Sequence, residues 1–344
     1  MTVLNRGVHP DDFLSPKVER IHTEPHFLEP LKAALEGRKF DVVISTYGRL
    51  QLVIEAIKGH TKRLVSVGGM AVYKGWLKVA NPPLAQYPSP VPVPEDGYLV
   101  EKGTHPFLDR MLDTEEAVMK AHKEGHFNVT HIRYCIGYGP RILAAPDWCI
   151  VRRILDGRKQ MVLPQGGQVI MSKGWGENEA QAVLLAVDKP DASAGQIYNI
   201  ADENQLTNRE WVVAIAKAMN HEFEFIDMPL SIMRPGCAYA FPSALEYPYH
   251  QVMDITKIKQ QLGYRDVLPA EKAIPKSVEW LLKNRPEPGG EKEKLMQDPF
   301  DYDTEDRLIK LLTTTWKRLR EEAPARESDW VHAHAHPKKI GDLK

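Results

Sequence analysis

Phe40-Asp-Val-Val-Ile44, Leu50-Gln-Leu-Val-Ile-Glu-Ala-Ile57 and Arg63-Leu-Val-Ser-Val67 follow one another directly along the chain. The outer two runs are short, β-branched and continuously apolar, as strands buried on both faces require. The middle run repeats its apolar residues at helical spacing, so the three together read as a β-α-β unit with parallel strands. Upstream, Met1-Thr-Val-Leu-Asn-Arg-Gly7 reads as a further short strand running into a polar turn. Downstream, a helix expected from about Asp113 to His122 precedes a strand at Asn128-Val-Thr-His-Ile-Arg133, and Gly195-Gln-Ile-Tyr-Asn-Ile200 reads as a late strand. Thr207-Asn-Arg-Glu210 is a capping box ahead of the helical run Trp211 to Met219. Strands alternating with helices predict an α/β fold with a parallel sheet.

The chain has 344 residues, 43% hydrophobic and 26% charged, enough for a large core with a second lobe. The expected division is a dinucleotide-binding region over 1–145, late strands and a substrate lobe over 146–285, and a linker, amphipathic helix and disordered tail over 286–344. Formal charge is -1, so no global basic field points to nucleic acid or an anionic membrane. Three cysteines, Cys135, Cys149 and Cys237, lack CxxC spacing and argue against a disulfide framework or a zinc site. No apolar leader or membrane-length run is present, so a reducing cytoplasm is the expected location. Asn81 to Pro94 carries too many prolines for a helix or a central strand and is expected as a surface loop. His332, His334 and His336 alternate in the tail; metal capture there would be adventitious, and no metal is expected.

The ordered series Val3-Leu-Asn-Arg-Gly7, Val67-Gly-Gly-Met-Ala-Val-Tyr73, Arg133-Tyr-Cys-Ile-Gly-Tyr-Gly-Pro140, Gly195 to Asn199 and Asp254-Ile-Thr-Lys257 with Leu262-Gly-Tyr264 resembles the extended short-chain dehydrogenase/reductases, the NAD-dependent epimerase/dehydratase superfamily. The likeness runs from residue 1 to about 285 and is nearest to atypical members. It implies a Rossmann-like, doubly wound parallel sheet of order 3-2-1-4-5-6-7, a smaller C-terminal substrate lobe, and NADP or NAD across the sheet's C-terminal edge. On this reading the chain starts at the family's second strand, without the first strand and its Gly-rich pyrophosphate turn. The expectation is that in-frame upstream codons encode about 30 further residues supplying them.

The resemblance puts cofactor contacts at Asn5, Arg6, Ser45, Gly68, Gly69 and Tyr134. Arg6 at the adenosine 2′ position favours NADP(H), because a guanidinium pairs a phosphate where an acidic residue would accept from a hydroxyl. The family's catalytic Ser or Thr falls at Gly69, with Gly68 before it. Aligning the next helix on Glu115 and Val118 places the family's Tyr at Phe107 and its Lys at Met111, and neither can move a proton. A literal Tyr98-Leu-Val-Glu-Lys102 occurs upstream, making Tyr98 and Lys102 the remaining catalytic candidates, but Gly103 and Pro106 are expected to interrupt the helix that pairing needs. Gly137-Tyr-Gly-Pro140 and Gln165-Gly-Gly167 read first as turns. The function implied is an NAD(P)-binding, epimerase/dehydratase-like or oxidoreductase-like protein acting on a small polar metabolite, with a homodimer as a possible assembly. The alternative is a non-catalytic RNA-binding or regulatory relative, which the near-neutral charge disfavours.

Overall fold

The seven-residue strand Arg63–Gly69, with Leu64, Val65 and Val67 as its apolar side chains, decides how the layers stack. In a computed structural model describing residues 1–8, 11, 13–46, 49–76, 90–229, 249–296 and 298–323, that strand lies between two partners with all three parallel. The order along the chain is β1 (Thr2–Asn5), β2 (Glu19–His22), α1 (Leu28–Leu35), β3 (Val43–Ser45), α2 (Leu50–Ile57), β4 (Arg63–Gly69), α3 (Pro106–Lys123), β5 (Asn128–Tyr134) and β6 (Ile136–Tyr138). There follow α4 (Ala145–Leu155), β7 (Gln160–Pro164), β8 (Lys173–Trp175), α5 (Gly176–Asp188), β9 (Gln196–Ile200), α6 (Asn208–Ala218) and β10 (Glu224–Met228). The last elements are α7 (Thr256–Leu262), α8 (Ala270–Lys283), α9 (Glu291–Lys294) and α10 (Tyr302–Glu322). Cys237, the His-rich tail and most of the proline-rich segment lie outside the described residues.

Strands β3, β4, β5 and β9 form one parallel sheet in that spatial order. Alternation sends Leu64 and Val129 to one face, against α1, α2 and α3, and Val65 and Ile132 to the other, against α5 and α7. Helices on both faces make the sheet doubly wound, as the unbroken apolar strands require. The sheet is interrupted between β1 and β3, where the strand order implied by the resemblance leaves a gap when its first strand is missing. β1 and β2 pair only with each other, and among the described residues no strand lies between β1 and β3. The smaller lobe packs α4, α6 and α8 around Trp148, Trp211 and Ile274, with β7 and β10 paired in parallel at its edge. The chain divides into two compact units, Met1–Phe300 and a second beginning at Asp301. In the second, Asp301 caps α10 by accepting from the Thr304 amide at 3.1 Å.

Two local readings change. α3 begins at Pro106, not near Asp113. Pro106 opens the helix instead of interrupting it, because a first-turn residue has no intrahelical N–H bond to lose, and His105 Nδ1 caps it by accepting from the Phe107 amide at 3.2 Å. The linker-like stretch after Pro286 is tied down: the Glu293 carboxylate accepts from Trp148 Nε1 at 2.9 Å and from Arg152 at 2.6 Å. The capping box is present as read, with Thr207 and Glu210 each bonding the other's backbone amide.

Candidate cofactor cleft

The residues expected at the cofactor fall at the C-terminal ends of successive strands. Asn5 ends β1 and Ser45 ends β3; Gly69 and Tyr134 end β4 and β5 as register partners. Within the four-stranded sheet parallel pairing brings the ends at Ser45, Gly69 and Tyr134 to one edge, where open α/β sheets bind ligands, while Asn5 ends a strand of the separate β1–β2 pair. Asn5 Oδ1 accepts from the Gly7 amide at 2.7 Å and lies 3.1 Å from His22 Nδ1, so it shapes the turn after β1. Arg6 is exposed, and its charge helps, with His26, to hold the Glu24 carboxyl below its usual range. Ser45 is buried. Across the cleft the Arg141 guanidinium sits 3.3 Å from the centroid of the Phe13 ring, bridging the loops that follow β1 and β6.

α3 supplies the far wall. Phe107, Met111 and Glu115 are spaced one turn apart and share a face. A methyl placed on Gly69 would meet Met111 Cε at 3.3 Å and the Tyr134 ring at 3.7 Å, so Met111, Gly69 and Tyr134 are neighbours. Phe107 and Tyr134 are each 43% exposed. Tyr98 and Lys102 lie in the loop before α3 rather than one turn apart on a helix. Tyr98 is exposed, and Lys102 is held by Asp113 and Glu116 at 2.8 Å each, which raises its pKa.

The lower end of the stripe is ionic. Arg133 donates to Glu115 at 2.9 and 2.5 Å, to the Tyr73 hydroxyl at 2.7 Å and to the Glu95 carbonyl at 2.7 Å. Burial opposes ionisation of Glu115, but Arg133 and His131 outweigh it and hold the carboxyl down to about 2. Tyr73 donates to Asn199 at 2.6 Å, and burial pushes its hydroxyl up to about 12. Ser66 Oγ lies 2.8 Å from His131 Nδ1, and His131 Nε2 lies 3.4 Å from Glu115. Those residue types make nucleophilic triads elsewhere. Here Ser66 is fully buried and no substrate reaches it, so the chain of contacts ties α3 to β4 and β5.

Beyond Tyr134 lies a second group of titrating residues that the sequence did not single out. Glu179, on the first turn of α5, is 3.9 Å from Cys135 Sγ; burial, with Asp202 adding repulsion, pushes its carboxyl up to about 8. Burial, with Glu179 and Cys135 adding, also raises the Tyr134 hydroxyl. Near pH 7 both groups are therefore held mainly in their protonated, hydrogen-bond-donating forms. Gly137-Tyr-Gly-Pro140 is structural. The Tyr138 hydroxyl donates to Asp202 at 2.7 Å, and Gly139 has φ +124 with the Trp175 ring 2.7 Å from where a Cβ would sit. Gln165–Gly167 is a tight 3₁₀ turn with Gly166 left-handed. Among the described residues no cluster suited to a metal occurs, and no helix is long and apolar enough to cross a membrane.

No protein-family model matches the chain. The uncharacterized protein YbjS of Escherichia coli K12 is 23% identical over 139 residues, covering 35% of this chain and 41% of that protein. dTDP-glucose 4,6-dehydratase of Neisseria gonorrhoeae is 28% identical over 153 residues, covering 43% of this chain and 42% of that protein. The chain thus spans about two fifths of these relatives' length. Among solved structures, the Thermotoga maritima UDP-glucose 4-epimerase with UDP-glucose superposes at a TM-score of 0.62 and 16% identity, over 82% of this chain and 91% of that one. The dTDP-glucose 4,6-dehydratase DesIV of Streptomyces venezuelae, with NAD bound, gives 0.60 at 18% identity over 83% and 88%. The Bacillus cereus UDP-glucuronic acid 4-epimerase with NAD gives 0.60 at 15% over 83% and 91%. The fold is therefore that of the NAD-dependent epimerases and dehydratases.

Proposed function

We propose that this chain is a nicotinamide-dinucleotide-binding protein of epimerase/dehydratase type that receives a small polar metabolite at a reaction end from which the usual Ser/Tyr/Lys groups are gone. The observation that carries this reading is the contact set of Met111 with Gly69 and Tyr134. An apolar side chain stands where the resemblance expects an ammonium, beside a glycine where it expects a hydroxyl. Tyr134 and Glu179 then present hydrogen-bond donors to a carbonyl or hydroxyl of the metabolite, which suits binding and orientation better than proton abstraction.

At the adenosine end the exposed Arg6 suits a 2′-phosphate; at the nicotinamide end Phe107, Met111 and Tyr134 offer an apolar wall. At the pyrophosphate, among the described residues, no strand with a Gly-rich turn stands between β1 and β3, so the cofactor would be held by its two ends and bind weakly. Calorimetric titration with NADPH and NADH tests the reading. Saturable binding that prefers NADPH is expected, with Arg6→Ala weakening NADPH about tenfold, a loss of roughly 1.4 kcal/mol, and leaving NADH unchanged. Binding of neither cofactor refutes it. So does NADPH-dependent carbonyl turnover that Tyr98→Phe or Lys102→Ala abolishes, which would make the loop pair the active site.

A further inference from the structure

β6 and β8 are short parallel strands whose central residues, Gly137 and Gly174, are register partners. Neither has a side chain, and the space this leaves is filled by Glu179 from α5. A methyl on Gly174 would stand 2.7 Å from Glu179 Oε1, and one on Gly137 would stand 3.3 Å from Oε2. Ile142, in the loop after β6, closes the niche, its Cδ1 lying 3.4 Å from where the Gly137 methyl would be. The carboxyl is thus confined by backbone and by an aliphatic side chain, not by hydrogen bonds.

Its polar contacts are few. Among the described residues its one hydrogen-bond contact is the Cys135 thiol, 3.9 Å from Oε1, and no Lys, Arg or His pairs with it. Lys173, next to Gly174 on β8, points to the other face, where Nζ lies 4.5 Å from the centroid of the Trp211 ring. Asp202 repels a negative charge at Glu179, and its own oxygens are taken by Asn178, the Trp175 amide and the Tyr138 hydroxyl. Glu179 is nevertheless only half-buried, so its carboxyl keeps an open side. Tyr134 stands beside it, 43% exposed, with its hydroxyl near enough to feel the Glu179 charge and making no hydrogen bond among the described residues. Polar groups withdrawn from water ordinarily have partners. A confined carboxyl with no cation, next to an accessible aromatic ring, is the combination that recognises an ammonium group.

We propose that the niche at Gly137 and Gly174 receives the ammonium group of an amine-bearing polar metabolite, with Glu179 as its counter-ion and the Tyr134 ring beside it. The inference rests on the reading that the cleft takes a small polar metabolite, and it narrows that metabolite to an amine. Glu179 donates to a neutral metabolite and ionises opposite an ammonium. In the second case the ammonium N–H donates to the carboxylate and the carboxyl proton goes to solvent, so one positive charge enters as one proton leaves. A carboxylate-bearing metabolite would meet Glu179 and Asp202 together and is disfavoured.

The probes are open-chain polyols that differ at one end only: glucamine with an ammonium, sorbitol with a hydroxyl and gluconate with a carboxylate. Each is titrated calorimetrically into the full chain at pH 7, in buffers of different ionisation enthalpy. Glucamine should bind at least about tenfold more tightly than sorbitol, and gluconate more weakly than either. The buffer dependence of the enthalpy should report about one proton released with glucamine and none with sorbitol. Glu179→Gln keeps the shape of the side chain and should remove both the preference and the proton release. Because proton release is read on the unaltered chain, the test does not depend on the variant's folding. Equal binding of glucamine and sorbitol overturns the proposal, as does binding of none of the probes or glucamine binding without proton release. Titration of the same protein with NADPH separates the readings. NADPH binding with no preference for glucamine refutes the ammonium site alone, and a preference for glucamine without NADPH binding refutes the cofactor alone.

Discussion

Replacing Glu115 by Gln keeps the shape of the side chain and removes its charge, and it should be among the most damaging single changes in the larger unit. Arg133 would be left with its guanidinium 2% exposed, having lost charge-assisted bonds of 2.5 and 2.9 Å. The Glu115 carboxyl is held at about 2 against an ordinary 4.5, which at 1.36 kcal/mol per unit corresponds to about 3 kcal/mol. That figure agrees with the roughly 3–5 kcal/mol expected when one partner of a buried pair is removed. With a urea slope on the order of 3 kcal/mol per molar, the midpoint should fall by about 1 M. The sign of the pH dependence follows from a depressed pKa. The stabilisation is fully present above pH 4.5 and is lost as pH falls toward 2, so wild type and Glu115→Gln should converge in that window. Adding Arg133→Met to Glu115→Leu should recover much of the loss, because no unpaired charge then remains. A change below 0.5 kcal/mol at pH 7, or an undiminished difference at pH 2.5, would refute the reasoning.

Other perturbations follow from the same contacts. A methyl on Gly68 would stand 2.5 Å from His131 Nε2, whereas on Gly69 its nearest contacts are the flexible end of Met111 at 3.3 Å and the Tyr134 ring at an ordinary 3.7 Å. Gly68→Ala should therefore cost about 1–3 kcal/mol in chemical denaturation and Gly69→Ala less than about 1 kcal/mol, and equal costs would contradict the packing. Phe107→Tyr with Met111→Lys should shift Tm by no more than about 4 °C, each polar tip reaching the cleft, and a larger loss would mean that α3 turns another face to the sheet. Lys173 is buried with Nζ over the Trp211 ring at 4.5 Å, no hydrogen-bond partner for Nζ among the described residues, and a pKa lowered by burial to about 8. Its charged form is disfavoured in the fold, so stability should rise between pH 8 and 10.5, by on the order of 2–3 kcal/mol, and Lys173→Met should abolish that rise while stabilising the protein at pH 7.

Period and turn chemistry made much of the fold legible. The runs at Phe40, Leu50 and Arg63 each carry a single period, and the structure has two strands and a helix there, although the first strand is shifted to Val43–Ser45. Pro106 was misread because proline is opposed inside a helix and welcome at its first residue, and the sequence alone did not mark which position it held. No local pattern encodes the split between β1 and β3; the resemblance does, through a sheet order that places another strand between them.

The polar interior was harder to read for the same reason. Glu115 and Arg133 are 18 residues apart, and Cys135 and Glu179 are 44 apart. One signal was nevertheless available. His131 and Arg133 are two apart on a strand, separated by Ile132, so both point into the same buried face, where the Arg133 charge needs a carboxylate. The acidic residue on the buried side of the adjoining helix is Glu115. That ionic contact also fixes which residues α3 offers to the cleft. Successive residues on a helix are about 100° apart, so a slip of one position would turn Met111 away from Gly69 and take Glu115 off Arg133 together. The buried pair thus fixes the register of α3 that brings Met111 beside Gly69, which is the register the proposed apolar wall requires.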